Sequence, residues 1–347
     1  MPPAWLAWIA GSLPEGTGAG ARAEPALGTT VIVAGATLWM TESRDGTGSV
    51  IDRPDQPYRI PIDAFSVRPA SYAPFVPPAM RDRLIAALRR GEAVLGDSSA
   101  ALRHIGAGGT LRFGSVEVVV GQVVPDEVVG FAEMFVARKI GRTLGIVADR
   151  YLLSLPVDSM TGERFAAIMA GVIAEAPVRT VEPGGSPYMR IASGVNPPVV
   201  TKTIFGEFAA APEVGNEAYL DIDPAWTEAN IRTRAVPLLG SVTCHEDLFA
   251  PLVAALREVR AQGLGPKIHT YSGCWAARTV QRSRTAPPSQ HAYGAAIDIN
   301  APESPFGAEP NFDTRIVAIF EDHGFLWGGA FLIPDGHHFE WGRRGPP

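Results

Sequence analysis

Seven histidines are spread over 347 residues, and three of them fall in two short segments near the C-terminal end. The first segment is Ser289-Gln290-His291-Ala292-Tyr293-Gly294-Ala295-Ala296-Ile297-Asp298; the second is Asp335-Gly336-His337-His338-Phe339-Glu340. Together they offer His291, Asp298 and His338, two nitrogen ligands and a carboxylate suited to one zinc ion with a fourth position left for water. They also offer a spare carboxylate, Asp335, three residues before His338. A base beside an activated water is what metal-assisted hydrolysis requires.

For these donors to converge, the segments must be strands that pair. Residues 295–300 read as a short strand in which Ile297 and Ile299 point one way and Asp298 the other, because side chains alternate with period two. The same rule puts His338 and Glu340 on one face of the second strand, with Phe339 and Trp341 on the opposite face. His337 then points away from His338, which leaves His338 as the ligand. His291, on the loop entering the first strand, closes the triangle, and Gly294 lets the backbone bend there. Glu340 is expected to orient a ligand histidine, a common arrangement around metals; its other reading is a plain surface carboxylate.

The pattern S-x-H-x-x-G-x-A-x-D followed by D-x-x-H-F-E resembles the zinc peptidases of the D-alanyl-D-alanine carboxypeptidase group. The nearest branch is the VanY-like and L-alanyl-D-glutamate endopeptidase enzymes that cut peptidoglycan stem peptides. The resemblance implies zinc held by His291, Asp298 and His338, with Asp335 as general base. The stretch Tyr271-Ser272-Gly273-Cys274-Trp275-Ala276-Ala277-Arg278 resembles the family segment whose arginine lies by the reacting carbonyl or a substrate carboxylate, though Arg278 is spaced differently from the Gly-Tyr-Arg form. Phe325-Leu326-Trp327-Gly328-Gly329 matches the strand-turn before the second motif. His337 stands where many relatives carry Met. The resemblance spans residues 240–342. The same fold can persist as a catalytically silent cell-wall-binding module, but that alternative predicts a broken ligand or a missing base, and all four positions are intact.

The remaining histidines read as structural. His323-Gly324 ends a helix that begins near Asp313, as capping and dipole effects favour. His245 stands at the start of the helix carrying Leu248, Phe249, Leu252, Leu256 and Val259. His104 and His269 have no partner pattern. Of the two cysteines, Cys244 opens the long helix region and Cys274 follows a strand read over residues 267–271, the helix and strand being adjacent in sequence. They could reach each other as a disulfide, which export would favour, or stay reduced and buried.

The fold class expected is α+β: a zinc-peptidase domain at 204–347, built on a small antiparallel sheet flanked by helices, preceded by a separate small α/β domain at 70–178. Residues 1–44 read as a leader or apolar N-terminal segment, 45–69 and 179–203 as linkers. The apolar run Thr29 to Met40 is shorter than the roughly twenty residues of a membrane span; it suits a signal core or a buried strand. Within 70–178 the patterns suggest helices over 80–90, 127–144 and 162–176, two strands over 110–124 and one over 149–155. No catalytic constellation falls there, so this part is read as an accessory domain for a cell-wall or membrane partner. A net charge of −6 without basic runs argues against nucleic acid. Gly106-Ala107-Gly108-Gly109 lacks the Lys-Ser/Thr of a phosphate loop. The substrate class implied by the resemblance places the protein in the cell envelope or outside the cell.

Overall fold

The computed structural model describes residues 4–157, 159–174, 176–183, 196–283 and 286–342. Of these, the residues up to 183 together with 197–203 form one compact unit, and residue 196 with 204–342 the other. The architecture is mixed α/β, with one large sheet and several small ones. No helix among the described residues is long and apolar enough to cross a membrane.

The first unit is organised by one sheet of eleven strands. They are β1 (Trp5–Trp8), β2 (Thr29–Met40), β3 (Glu42–Arg44), β4 (Val50–Asp52), β5 (Ile60–Val67), β6 (Ala93–Gly96), β7 (Thr110–Phe113), β8 (Val116–Val124), β9 (Met134–Ala137), β10 (Asp149–Leu155) and β11 (Arg179–Val181). Their spatial order is β11-β1-β10-β2-β5-β9-β6-β8-β7-β3-β4. The pairs β5–β9 and β6–β8 are parallel and the other pairs antiparallel. Helices Pro78–Arg90 and Gly162–Val172 bury Leu84, Ile85, Leu88, Phe165 and Met169.

This unit corrects several boundaries read from sequence. Residues 1–44, read as a leader or apolar N-terminal segment, and 45–69, read as a linker, supply from residue 4 on β1 to β5 of the same sheet as 70–178, with Thr29 to Met40 as the buried-strand alternative has it. The Asp-, Pro- and Arg-rich stretch is a β3–β4 hairpin whose turn is fastened by Asp45 Oδ1, which accepts from the Thr47 and Ser49 amides at 2.8 and 2.9 Å. Every residue of β5 is buried. The single helix read over 127–144 is instead a 3₁₀ turn, the buried strand β9 and a short helix Arg138–Thr143. Gly130 and Phe131 have φ of +62° and +61°, which no α-helix can carry through, and a continuous apolar run does not separate buried helix from buried strand. The second linker is likewise structured in part: Arg179–Val181 is an edge strand and Pro198–Phe205 a helix, while 184–195 lie outside the described residues.

The second unit contains two hairpins and a four-stranded sheet. The hairpins are β12 (Ala210–Glu213) with β13 (Asn216–Ile222), and β14 (Ile231–Val236) with β15 (Gly240–His245). The sheet has the order β16 (Tyr271–Gly273), β17 (Ala296–Ile299), β19 (His338–Trp341), β18 (Phe325–Trp327), antiparallel throughout. Helices Phe249–Ala261 and Thr314–Asp322 pack Leu252, Leu256, Ile316 and Phe320 against Ile297, Ile299, Phe325 and Phe339 in one core. The strand read over 267–271 is displaced: Gly265–Lys267 is a 3₁₀ turn and the strand begins at Tyr271. Cys244 at the end of β15 and Cys274 just past β16, with Cα atoms 5.4 Å apart, form a disulfide.

Candidate metal centre

Asp298 on β17 lies directly opposite His338 on β19. Strand alternation sends Ile297 and Ile299 fully into the core and turns Asp298 to the other face. In β19 it buries Phe339 and brings His338 and Glu340 to the Asp298 side. His338 Nδ1 stands 2.8 Å from Asp298 Oδ1, and its Nε2 is 3.0 Å from Glu340 Oε1.

His291 arrives from the 3₁₀ turn Gln290–Tyr293. Ser289 Oγ caps that turn by accepting the His291 amide at 3.1 Å. Gly294 ends it with φ +65°, and a Cβ there would fall 2.4 Å from the His245 amide nitrogen. No other residue fits this close approach. The turn places His291 Nε2 3.2 Å from both His338 Nδ1 and Asp298 Oδ1, while His291 Nδ1 meets the Cys274 carbonyl oxygen at 2.6 Å.

The outer contacts settle the protons. A carbonyl and a carboxylate only accept, so His291 Nδ1 and His338 Nε2 each carry a hydrogen. In the neutral imidazoles, His291 Nε2 and His338 Nδ1 then present lone pairs, and both face Asp298 Oδ1. With both imidazoles neutral, three acceptor atoms separated by 2.8–3.2 Å have no donor among them, an arrangement that could hold a cation. Ligands held tetrahedrally at about 2.0–2.1 Å from zinc would be roughly 3.3 Å apart, so the triangle and the donor set both fit that ion. His291 and His338 are buried and Asp298 nearly so. Burial alone would push Asp298 up, but hydrogen bonds and charge from His291 and His338 outweigh it and hold the carboxyl far below the usual range. Burial likewise disfavours a charged His338, yet Asp298 and Glu340 raise it to about 10 when no metal competes for the lone pair.

Asp335 stands at the turn into β19. Its amide donates to the Gly328 carbonyl at 2.9 Å and its own carbonyl accepts the His338 amide at 3.1 Å. Gly328 permits this: a Cβ there would meet the Asp335 oxygen at 2.6 Å and both the Asp335 and His338 Cβ atoms at 3.2 Å. Burial raises the Asp335 carboxyl above the ordinary aspartate value, partly opposed by the nearby imidazoles. His337 precedes the strand, so alternation does not govern it as the sequence reading assumed. Its Nδ1 donates to the Ser304 carbonyl at 2.9 Å while lying 3.1 Å from Asp335 Oδ1, and its Nε2 is 3.9 Å from Asp298 Oδ2. It therefore borders the centre instead of pointing away from it.

Arg278 is anchored through its backbone, bridging to Tyr219 and accepting the Ser289 amide at 3.0 Å. Its guanidinium makes no hydrogen bond or ion pair among the described residues. Burial lowers its pKa, and the carboxylates of Asp298 and Asp335 are among the charges it feels. Two features escaped the sequence: the Cys274 carbonyl behind His291 and the Gly328 seat beneath Asp335. The first is a backbone atom and leaves no residue-type signal. The second was visible only as a Gly-Gly turn. The other histidines serve locally: His245 Nδ1 accepts the Asp247 amide at 3.2 Å, His323 pairs with Glu258 at 2.8 Å, and His269, which lacked a partner in sequence, pairs with Glu303 at 2.9 Å.

Residues 282–341 match a protein-family model described as D-alanyl-D-alanine carboxypeptidase. The matched stretch contains His291, Asp298, Asp335, His338 and Glu340 and begins after Arg278. A comparison with curated proteins gives no match. Among solved structures, the chain is similar to the periplasmic region of MacB from Actinobacillus actinomycetemcomitans, at 7% identity and a TM-score of 0.37, over 52% of this chain and 89% of that one. It is also similar to the extracellular domain of the noncanonic ABC-type transporter YknZ from Gram-positive bacteria, at 10% identity and a TM-score of 0.32, over 52% of this chain and 100% of that one.

Proposed function

We propose that the second unit is a zinc-dependent peptidase that hydrolyses peptidoglycan stem peptides, as a D-Ala-D-Ala carboxypeptidase or an L-Ala-D-Glu endopeptidase. The observation that carries this reading is the convergence of three lone-pair donors whose far sides are already committed, His291 to the Cys274 carbonyl and His338 to Glu340. Such outward hydrogen bonds fix the tautomer and ring orientation of metal-ligating histidines. The family match over 282–341 supports the reaction class.

His291 Nε2, Asp298 Oδ1 and His338 Nδ1 would hold the ion, which when bound supplies a Lewis acid and lowers the pKa of water. Asp335 accepts the proton of the attacking water and returns it to the leaving amine; its raised pKa suits it to both transfers. Arg278, whose guanidinium has no hydrogen bond or ion pair among the described residues, grips a substrate carboxylate or the oxyanion that develops as water adds. Glu340 keeps His338 turned so that Nδ1 faces inward. This substrate lies outside the cytoplasmic membrane, and the Cys244–Cys274 disulfide suits an oxidising compartment. We accordingly place the protein in the cell envelope or outside the cell.

The test is metal analysis of the purified full-length chain alongside digestion of defined muropeptides with and without chelator. One zinc per chain and chelator-sensitive cleavage are expected, and product masses name the bond. His291→Ala is expected to lose zinc and turnover together. An active, zinc-free His291→Ala protein would overturn the assignment. Zinc without cleavage of any stem peptide would instead identify a silent cell-wall-binding module.

A further inference from the structure

The first unit contains a cavity of about 380 Å³ bordered by the helix Thr17–Ala23, the start of β2, the chain after β5 and the helix Arg138–Thr143. Its charged lining is four arginines, Arg22, Arg68, Arg138 and Arg142, against one carboxylate, Asp149. Guanidiniums repel one another, and a protein with a net charge of −6 has no general excess of cations to distribute. Their gathering around one hollow therefore calls for a local reason.

Only Arg138 has an anionic partner here, Asp149. The guanidinium groups of Arg22, Arg68 and Arg142 form no ion pair or hydrogen bond among the described residues. Arg138 is itself incompletely satisfied: its Nη1 is buried without an acceptor. Buried donors without acceptors are rare and costly. The floor is kept open by Gly18, where a Cβ would press within 3.0 Å of Ile32 and 3.5 Å of Arg22 Nη1. Ser71 adds a hydroxyl to the rim.

We infer that this cavity binds a multiply charged oxyanion, a phosphoryl or polycarboxylate group. Guanidinium is the side chain best shaped to chelate such groups, since its fork gives paired, charge-assisted hydrogen bonds. An oxyanion would neutralise the excess of positive charge and supply the acceptor that Arg138 Nη1 lacks. The inference does not depend on the metal centre, which belongs to the other unit.

Isothermal titration of the full-length protein at low ionic strength tests it, with pyrophosphate in one arm and tricarballylate in the other. Saturable binding of one equivalent is expected in at least one arm, and the arm that responds distinguishes phosphoryl from carboxylate chemistry. Arg68→Ala combined with Arg142→Ala should weaken binding at least about tenfold, from the loss of charge-assisted hydrogen bonds. Arg83→Ala, on the exposed face of the helix Pro78–Arg90, should leave it unchanged. Should the double variant fail to fold, Arg22→Gln provides the same test with one exposed side chain and a several-fold loss. Saturation in neither arm, or equal weakening by Arg83→Ala, would overturn the inference.

Discussion

Glu133 in the first unit and Asp298 in the second are carboxylates withdrawn from water, and their partners differ in kind. Glu133 is fully buried between two permanent cations, Arg103 Nη2 at 2.7 Å and Lys202 Nζ at 2.8 Å. Its second oxygen also accepts the Asp63 amide at 2.8 Å. Burial raises the Glu133 carboxyl, but Lys202 and Arg103 outweigh it and leave the pKa lowered. The charge is balanced entirely from within the chain. Asp298 is met directly by two imidazoles, and each of those has an N–H turned outward to another acceptor. With both imidazoles neutral, what remains inside is a ring of lone pairs. A buried cluster that supplies its own counter-charge is architecture, whereas one whose inward atoms are all acceptors is a candidate cation site; the difference lies in which atoms face inward, not in how many charged residues are buried.

The comparison breaks first at Asp335. If the second unit is built for hydrolysis, Asp335→Asn should retain the metal and lose about 10²–10⁴ in kcat, the usual range for removing a general base. A variant that loses zinc as well would make Asp335 part of the binding ring. In the first unit, Glu133→Ala removes the carboxylate that the buried Arg103 and Lys202 share. It should cost about 3–5 kcal/mol of unfolding free energy, read by urea denaturation, with metal stoichiometry in the protein that still folds unchanged. A cost near zero would mean that the quartet contributes little beyond what its desolvation takes away. Glu340→Gln sharpens the contrast more gently. The amide can still meet His338 Nε2 but carries no charge, and zinc affinity should fall about 10–100-fold in a chelator competition. Unchanged affinity would reduce Glu340 to packing.

Much of the second unit was legible because short-range rules govern it. Two four-residue strands with period-two burial bring Asp298 opposite His338, and the Asp313 and His323 positions bracket their helix as capping predicts. His337 was misplaced because alternation was extended one residue beyond the strand it belongs to. The first unit was harder to read because its order is set by long-range pairing. β3 and β7 are neighbours although more than sixty residues separate them, and nothing local in the 45–69 stretch announces a central strand. The Glu133 quartet was invisible for the same reason. Its members come from residues 63, 103, 133 and 202, and the last lies in a stretch whose composition suggested a linker.

Asp63 gives the most specific effect, through its pH dependence. It is buried in β5, and neither carboxyl oxygen has a hydrogen-bond partner among the described residues. Burial, and then the charge of Glu133, push its pKa well above the ordinary value, with Lys202 and Arg150 only partly opposing them. An acid whose folded pKa is raised keeps its proton in the native state after the unfolded chain has released its own. Stability from this group is therefore complete below the unfolded value near 4 and is lost as pH rises toward the folded pKa. The loss approaches about 1.4 kcal/mol per pH unit while the one-proton difference lasts. Asp63→Asn has nothing to release, so its stability relative to the natural chain should climb as pH rises above the unfolded value, at up to roughly that slope. Glu133 runs the other way: its lowered pKa gives stability above the unfolded value that is lost in acid. Parallel pH profiles for the Asp63→Asn and natural proteins would mean that Asp63 ionises freely in the fold, with Lys202 and Arg150 compensating it in full.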